Sequence, residues 1–210
     1  EALSIKEIRN RIEKVSRMRL KSKDKGANDL ASRSHQFRDL NEANKYSIII
    51  PSTTSEKRDY IPIGFLNKEI IATNAAHILY DPPIYVLSVL CSKMHMVWVF
   101  AVGGYLGSSI RYSSSLCYNT FPFPKISKNK EKLLEELAFN LIDEREKYSE
   151  KTLSEIYNPT KMPSSLIKVH QKIDLEIENC YGIKNFNDDT QRLNFLFENY
   201  NLNLRNTELF

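Results

Sequence analysis

Arg111-Tyr112-Ser113-Ser114-Ser115-Leu116-Cys117-Tyr118-Asn119-Thr120-Phe121-Pro122-Phe123-Pro124 divides this 210-residue chain into two parts of different kind. It reads as a basic, aromatic and hydroxyl-rich strand that runs into a rigid Phe-Pro-Phe-Pro stop. Neither proline has an N–H to donate, so strand pairing and helix both end there. The stretch also mixes base-edge donors, phosphate donors and stacking faces, the combination a DNA-reading surface needs. An ordinary surface strand carries the same residue types.

Before the stop, β-rich runs alternate with helical patterns. Residues 4–24 read as a helix, with Ile5, Ile8, Ile12 and Val15 at three- to four-residue spacing, basic side chains on the rest, and Gly26 as a C-cap. A second helix is expected over 27–40. Tyr46 to Pro51 and Tyr60 to Ile63 are strand-like around a polar turn at 52–58, and Glu69 to Leu79 supplies one or two more strands. Tyr85 to Tyr105 is long and apolar, holds Met94, Met96 and Trp98, and reads as one or two buried helices stopped by Gly103-Gly104. Residues 105–120 return to loop and strand.

After the stop the pattern is helical. Leu133, Leu134, Leu137 and Leu141 form one apolar stripe, Leu166, Val169, Ile173 and Ile177 a second, and Leu193, Leu196, Phe197 and Tyr200 a third. Pro163 suits a first helical turn, and Asp188 with Gln191 resembles a capping box. The expected fold class is α+β: a mixed α/β domain with a short sheet and buried helices, then a small all-α helical domain. The expected divisions are 1–40, 41–125 and 126–210.

The net charge is +4, unevenly distributed. Residues 1–125 hold 18 Lys+Arg against 11 Asp+Glu, whereas 126–210 hold 12 against 15. A basic front and mildly acidic rear fit a nucleic-acid reader followed by a packing or partner module, and equally a solvated helical surface. No run of about 18 apolar residues spans a bilayer, and Glu-Ala-Leu-Ser at the start is no signal peptide. Cys91, Cys117 and Cys180, far apart and odd in number, read as reduced thiols of a cytoplasmic protein.

Several motifs suggest chemistry and then fall short of it. Asp81-Pro82-Pro83-Ile84-Tyr85 approaches the Asp/Asn-Pro-Pro-Tyr/Phe tetrapeptide with which amino-methyltransferases hold a flipped base, but Ile84 displaces the aromatic and no glycine-rich cofactor loop lies upstream. A plain turn before a helix is expected. Gly103-Gly104-x-x-Gly107 is not the dinucleotide fingerprint. Cys91-x-x-x-His95 has no second ligand pair, so no metal is expected. His35, His77 and His170 lack a nucleophile beside them, and Glu56-Lys57 lacks the acidic partner of a nuclease metal site. No complete catalytic site is present.

Taken in order, Ser16-Arg17-Met18-Arg19-Leu20-Lys21-Ser22, Ser55-Glu56-Lys57-Arg58-Asp59-Tyr60-Ile61-Pro62-Ile63-Gly64-Phe65-Leu66, Ser92-Lys93-Met94-His95-Met96-Val97-Trp98-Val99 and the Arg111-to-Pro124 stretch form a signature. Leu153 to Pro163, Tyr181-Gly182 and Phe195 to Tyr200 extend it. Over nearly its whole length the chain resembles the C-terminal third of the MmeI-like single-chain restriction–modification enzymes. In that family a nuclease, an adenine-N6 methyltransferase, a target recognition domain and a C-terminal helical domain are fused. Thr120 and Phe123 stand where the family more often has Asn and Trp, and Asn158 where Asp is usual.

The resemblance implies a fragment: a helical spacer over 1–40, a target recognition domain over 41–125 and a C-terminal helical domain over 126–210. The nuclease and methyltransferase, with the S-adenosylmethionine site, would lie upstream. No cofactor is expected in this fragment itself; its partners would be duplex DNA and the methyltransferase domain of the same chain, with no membrane. The family places specificity just before the Arg-Tyr-Ser motif and in the strand after Gly-Phe-Leu, which here means Gly107 to Ile110, especially Gly107 and Ser109, with Asn74 and Ala75.

The DNA-contact candidates are Arg17, Arg19 and Lys21 on the spacer, Lys57 and Arg58 in the polar turn, Asn74 and Ala75, Gly107, Ser108 and Ser109, and Arg111, Tyr112 and Ser113. A protein-interaction or structural module with an incidental basic surface is the competing reading. Salt-dependent duplex binding separates the two.

Overall fold

The structure, a computed structural model, describes residues 2–37 and 41–207. The chain falls into two units, Glu1–Glu42 and Ala43–Phe210. In the first, helix α1 (Lys6–Leu20) is followed by the single-turn α2 (Lys25–Asp29) and a short 3-10 turn over Ala31–Arg33. Asp24 starts α2 by accepting hydrogen bonds from the N–H groups of Gly26 (2.8 Å) and Ala27 (3.4 Å). Gly26 therefore lies inside α2 and is not the cap of α1. The expected helix over 27–40 is reduced to these two turns, and its last residues fall outside the described ones.

The second unit carries two three-stranded antiparallel sheets and six helices among the described residues. One sheet has the order β3-β1-β4, from β1 (Tyr46–Pro51), β3 (Gly64–Asn67) and β4 (Ala76–Tyr80). The other has the order β2-β6-β5, from β2 (Thr53–Ser55), β5 (Gly104–Leu106) and β6 (Ser109–Arg111). Between β4 and β5 run α3 (Tyr85–Leu90) and α4 (Lys93–Val102), apolar on nearly every side and buried. After the proline stop come α5 (Lys128–Glu146), the short α6 (Leu153–Ile156), α7 (Ser164–Cys180) and α8 (Asp189–Thr207). The fold is α+β.

Helices α5, α7 and α8 share the core of the sheets. Ile48, Ile63, Leu87, Met94 and Trp98 from the front join Leu134, Leu141, Leu166, Ile173 and Leu196 from the rear in one buried cluster. Trp98 on α4 meets Phe197 and Tyr200 of α8 at ring-centroid distances of 5.1 and 5.6 Å. The proline stop is itself packed: Phe121 and Phe123 meet edge-on at 5.1 Å, and the Tyr181 hydroxyl donates to the Pro122 carbonyl at 2.8 Å.

The reciprocal capping box opens α6, where Thr152 and Glu155 each satisfy the other's backbone N–H. At α8 the Asp188 carboxylate accepts from the Gln191 N–H, whereas the Gln191 side chain reaches one residue further back, to the Asn187 N–H. Pro163 is the N-cap of α7. Cys91, Cys117 and Cys180 are free thiols.

Candidate nucleic-acid interface

The β2-β6-β5 sheet is built around two glycines. A Cβ on Gly103 would come within 2.6 Å of the Val99 carbonyl oxygen and 2.9 Å of Ile110, so only glycine lets α4 pass directly into β5. Gly107 has φ +61 and, with Ser108, makes the two-residue turn between paired Leu106 and Ser109. Turns of this length need a positive φ at their first central residue to match strand twist.

The register then fixes which side chains share a face. Thr54 and Ile110 are paired, and both are buried, at 3% and 0% exposure. Directly opposed residues in an antiparallel sheet point the same way, and neighbours along a strand point oppositely. The outer face therefore carries Thr53 opposite Arg111 and Ser55 opposite Ser109, with Gly104 and Leu106 of β5 completing the two rows. It presents three hydroxyls, a guanidinium and one leucine, with no carboxylate on its strands. Among the described residues nothing engages the exposed Arg111 guanidinium in a hydrogen bond or ion pair.

The second predicted segment is tied to this sheet through one residue. The Ser52 N–H donates to the Ala75 carbonyl at 3.3 Å, and the Ser52 carbonyl accepts the Tyr112 N–H at 2.9 Å. Asn74 and Ala75 are thereby held beside the Thr53–Arg111 end of the sheet, both exposed, in a turn closed by Thr73. At the opposite end, Lys57 projects from the Ser55–Arg58 turn, beside the Gly107-Ser108 turn because Ser55 pairs with Ser109.

Other candidates have different work. Tyr112 belongs to the core: it is 2% exposed, its hydroxyl meets His95 Nε2 at 3.1 Å, and its carbonyl meets His77 Nε2 at 3.2 Å. It cannot stack on a base from there. Arg58 is half-buried, donating to the Tyr157 carbonyl (3.2 Å), the Ser154 carbonyl (3.3 Å) and Ser154 Oγ (2.8 Å), so it braces the turn against α6. Arg19 spends its guanidinium on the carbonyls of Leu30 (2.9 Å), Arg33 (3.2 Å) and Gln36 (3.0 Å), holding the first unit together. Arg17 and Lys21 remain exposed, Arg17 in a loose 3.7 Å ion pair with Glu13.

The strand expected through 111–120 ends at Arg111. Ser114–Tyr118 is a π-helical turn, marked by the Asn119 N–H bonding the Ser114 carbonyl at 2.9 Å. Burial of Cys117 draws the chain inward there, and Thr120 receives the Trp98 indole N–H at 3.2 Å. Ser113, half-buried at the mouth of this turn, faces Ser115 at 2.9 Å between hydroxyl oxygens.

Asp81 is a turn residue. Its carboxylate accepts from the N–H groups of Asn44 (2.7 Å), Lys45 (2.7 Å) and Tyr46 (3.2 Å) and from the Asn44 amide (3.0 Å). These bonds, that of the Asn44 N–H foremost, hold its pKa below the ordinary carboxylate range. With its oxygens so occupied and φ at +48, Asp81-Pro82-Pro83 closes β4 onto α3 and does not fit a site for an exocyclic amine or S-adenosylmethionine. Among the described residues no helix is long and apolar enough to cross a membrane.

Comparison with known proteins identifies the family. The family model of the MmeI target recognition domain matches residues 1–125, and that of the MmeI C-terminal domain matches 126–207. DNA methyltransferase A of Bacillus subtilis (strain 168) is 44% identical over 193 residues, which cover 92% of this chain and 22% of that protein. The solved structure of the Type IIL restriction-modification enzyme MmeI in complex with DNA aligns with a TM-score of 0.85 at 39% identity, over 92% of this chain and 26% of its own. The chain thus spans about a quarter of the length of these relatives. It belongs to the MmeI family, as a target recognition domain followed by the family's C-terminal domain.

Proposed function

We propose that this chain is the sequence-reading module of a restriction–modification DNA methyltransferase, and that the outer face of the β2-β6-β5 sheet is its reading surface. The observation that carries this is the register: it gathers Ser109 and Arg111 with Thr53 and Ser55 on one outer face, while Ser52 holds Asn74 and Ala75 beside them. Ile110 and Thr54, buried beneath, anchor the strands, so the backbone of the face is set before DNA arrives. Arg111 donates to guanine or to phosphate, and the hydroxyls of Ser108 and Ser109 reach base edges directly or through water. Lys57 neutralises phosphate beside the Gly107-Ser108 turn, and Arg17 and Lys21 do so from the first unit.

In this reading residues 1–40 are the spacer, 41–125 the recognition domain and 126–210 a helical buttress. The methyltransferase lies upstream in the same cytoplasmic polypeptide, binds S-adenosylmethionine there and modifies adenine at N6. The present chain supplies no reacting group: it sets the register on the duplex that presents one adenine for flipping.

The test is competition binding of the parent protein to duplexes with and without its target, over a range of salt. Arg111→Ala should lower affinity for the target at least tenfold while changing non-target affinity much less. Equal loss on both would make Arg111 a phosphate contact. No loss on either would remove this face from the interface.

A further inference from the structure

Strand β5 is an edge of a kind that soluble proteins seldom leave bare. Gly104, Tyr105 and Leu106 are all exposed, Tyr105 at 61% and Leu106 at 66%, and the strand contains neither a charge nor a proline. Uncharged, exposed edges invite pairing and are ordinarily covered, charged or broken. Tyr105 points to the inner side, where its hydroxyl reaches the Phe100 carbonyl at 3.4 Å. Leu106 points outward, opposite Ser109 and in one row with Ser55. It is the single apolar side chain on a face otherwise made of hydroxyls and the Arg111 guanidinium.

That composition selects the occupant. A protein partner complementary to a lone leucine would bring an apolar patch, which the surrounding hydroxyls and the cation do not match. The major-groove wall of duplex DNA fits: it offers acceptors to Arg111 and the serines, and its one apolar group is the 5-methyl of thymine. Resting on the reading surface proposed above, we infer that Leu106 is a further specificity-determining residue, which recognises the 5-methyl group of a thymine next to the base pair faced by Ser109.

The test replaces each thymine of the target duplex singly by deoxyuridine, which lacks only that methyl, and measures competition binding by the parent protein. At one position the wild type should lose about three- to fivefold in affinity, the value of burying one methyl group. Leu106→Ala should abolish the loss at that position alone, and Leu106→Met should keep most of it. Because Leu106 is exposed, both variants should unfold at the wild-type urea midpoint, which separates a contact effect from misfolding. A flat deoxyuridine scan, or a penalty that survives in Leu106→Ala, overturns the assignment. Leu106→Ala weakening all duplexes equally also overturns it, placing the leucine on another surface. Failure of the wild type to prefer its target over a scrambled duplex would instead refute the reading surface itself.

Discussion

Replacing Tyr157 by Phe removes one oxygen from the centre of a buried cation site, and the structure gives the consequence a size. Arg145, at 8% exposure, donates through Nη1 to the Ile63 carbonyl at 2.8 Å, through Nε to the Tyr157 hydroxyl at 2.8 Å and through Nη2 to the same hydroxyl and to Cys91 Sγ. These acceptors are all neutral. The Tyr157 hydroxyl in turn donates to His170 Nε2 at 2.7 Å, while His170 Nδ1 bonds the Cys91 carbonyl at 3.0 Å, which fixes the Nδ1-protonated tautomer. Phenylalanine would leave two guanidinium N–H groups and one imidazole nitrogen without partners in a dry core. Each buried group left unpaired costs about 1–3 kcal/mol, more at a charged one, so the loss should total about 3–5 kcal/mol. Arg145→Leu should cost less, about 2–3 kcal/mol: it orphans the Ile63 carbonyl and takes two donors from the Tyr157 hydroxyl, which keeps His170, but it also removes the buried charge. Urea unfolding followed by fluorescence of the one tryptophan, Trp98, reads both variants, since Trp98 is buried in the same core. A loss under about 1 kcal/mol for Tyr157→Phe would show that the network does not hold the sheets to the C-terminal helices as described.

Acid should weaken the fold through two histidines. Burial drives the pKa of both His95 and His170 down to about 3, so each favours the fold fully above its unfolded value near 6.5 and loses about 1.4 kcal/mol per unit as pH falls below it. Burial raises Asp174 to about 6, and its contribution runs the other way between pH 6 and 4, offsetting about half. Stability should therefore be roughly 3 kcal/mol lower at pH 4.5 than at pH 7, and unchanged urea midpoints would contradict this. Arg19→Ala, by freeing three carbonyls, should speed hydrogen exchange in α1 and α2, whereas Arg17→Ala with Lys21→Ala should leave exchange alone and flatten the salt dependence of duplex binding by about one unit per lost phosphate contact. Gly107→Glu has room for its side chain but places it at φ +61, so its unfolding free energy should fall by about 1 kcal/mol and Gly107→Asn should fall less.

The sequence carries the parts of this fold that repeat at a helical period. α3 and α4 are legible as a mostly apolar run, and α5 and α7 as leucine and isoleucine stripes, because each buries one continuous surface. β2, β5 and β6 are three residues long and too short to show any alternation. The pairing of β2 with β6 joins residues more than 50 positions apart, which no local pattern encodes. The sequence for that reason does not single out Thr53 and Ser55, although the order of Thr53-Thr54-Ser55, with only the middle residue buried, becomes meaningful once Ile110 is known to face Thr54.

The arginines show a second limit. Arg19, Arg58 and Arg145 look like surface charge in a sequence, yet each is engaged with carbonyls or hydroxyls, the partners of Arg58 lying 96 to 99 residues away. Tyr112 stands among the DNA-contact candidates because its motif places it next to Arg111, yet it is buried where Arg111 is exposed. The family resemblance points to Gly107 and Ser109, and the basic, hydroxyl-rich stretch to Arg111; the register is what sets Ser109 and Arg111 on one face.

The reading surface is tested most directly by the target motif of Ser109→Arg in the parent protein, obtained by sequencing modified sites in the DNA of cells that carry the variant. A new guanidinium in the Ser55–Ser109–Leu106 row adds a bidentate donor worth about 1–3 kcal/mol of base discrimination. The base accepted at one position of the motif should change, guanine being favoured there, while the remaining positions stay as in the wild type. Full modification of an unchanged motif would show that this face does not read DNA.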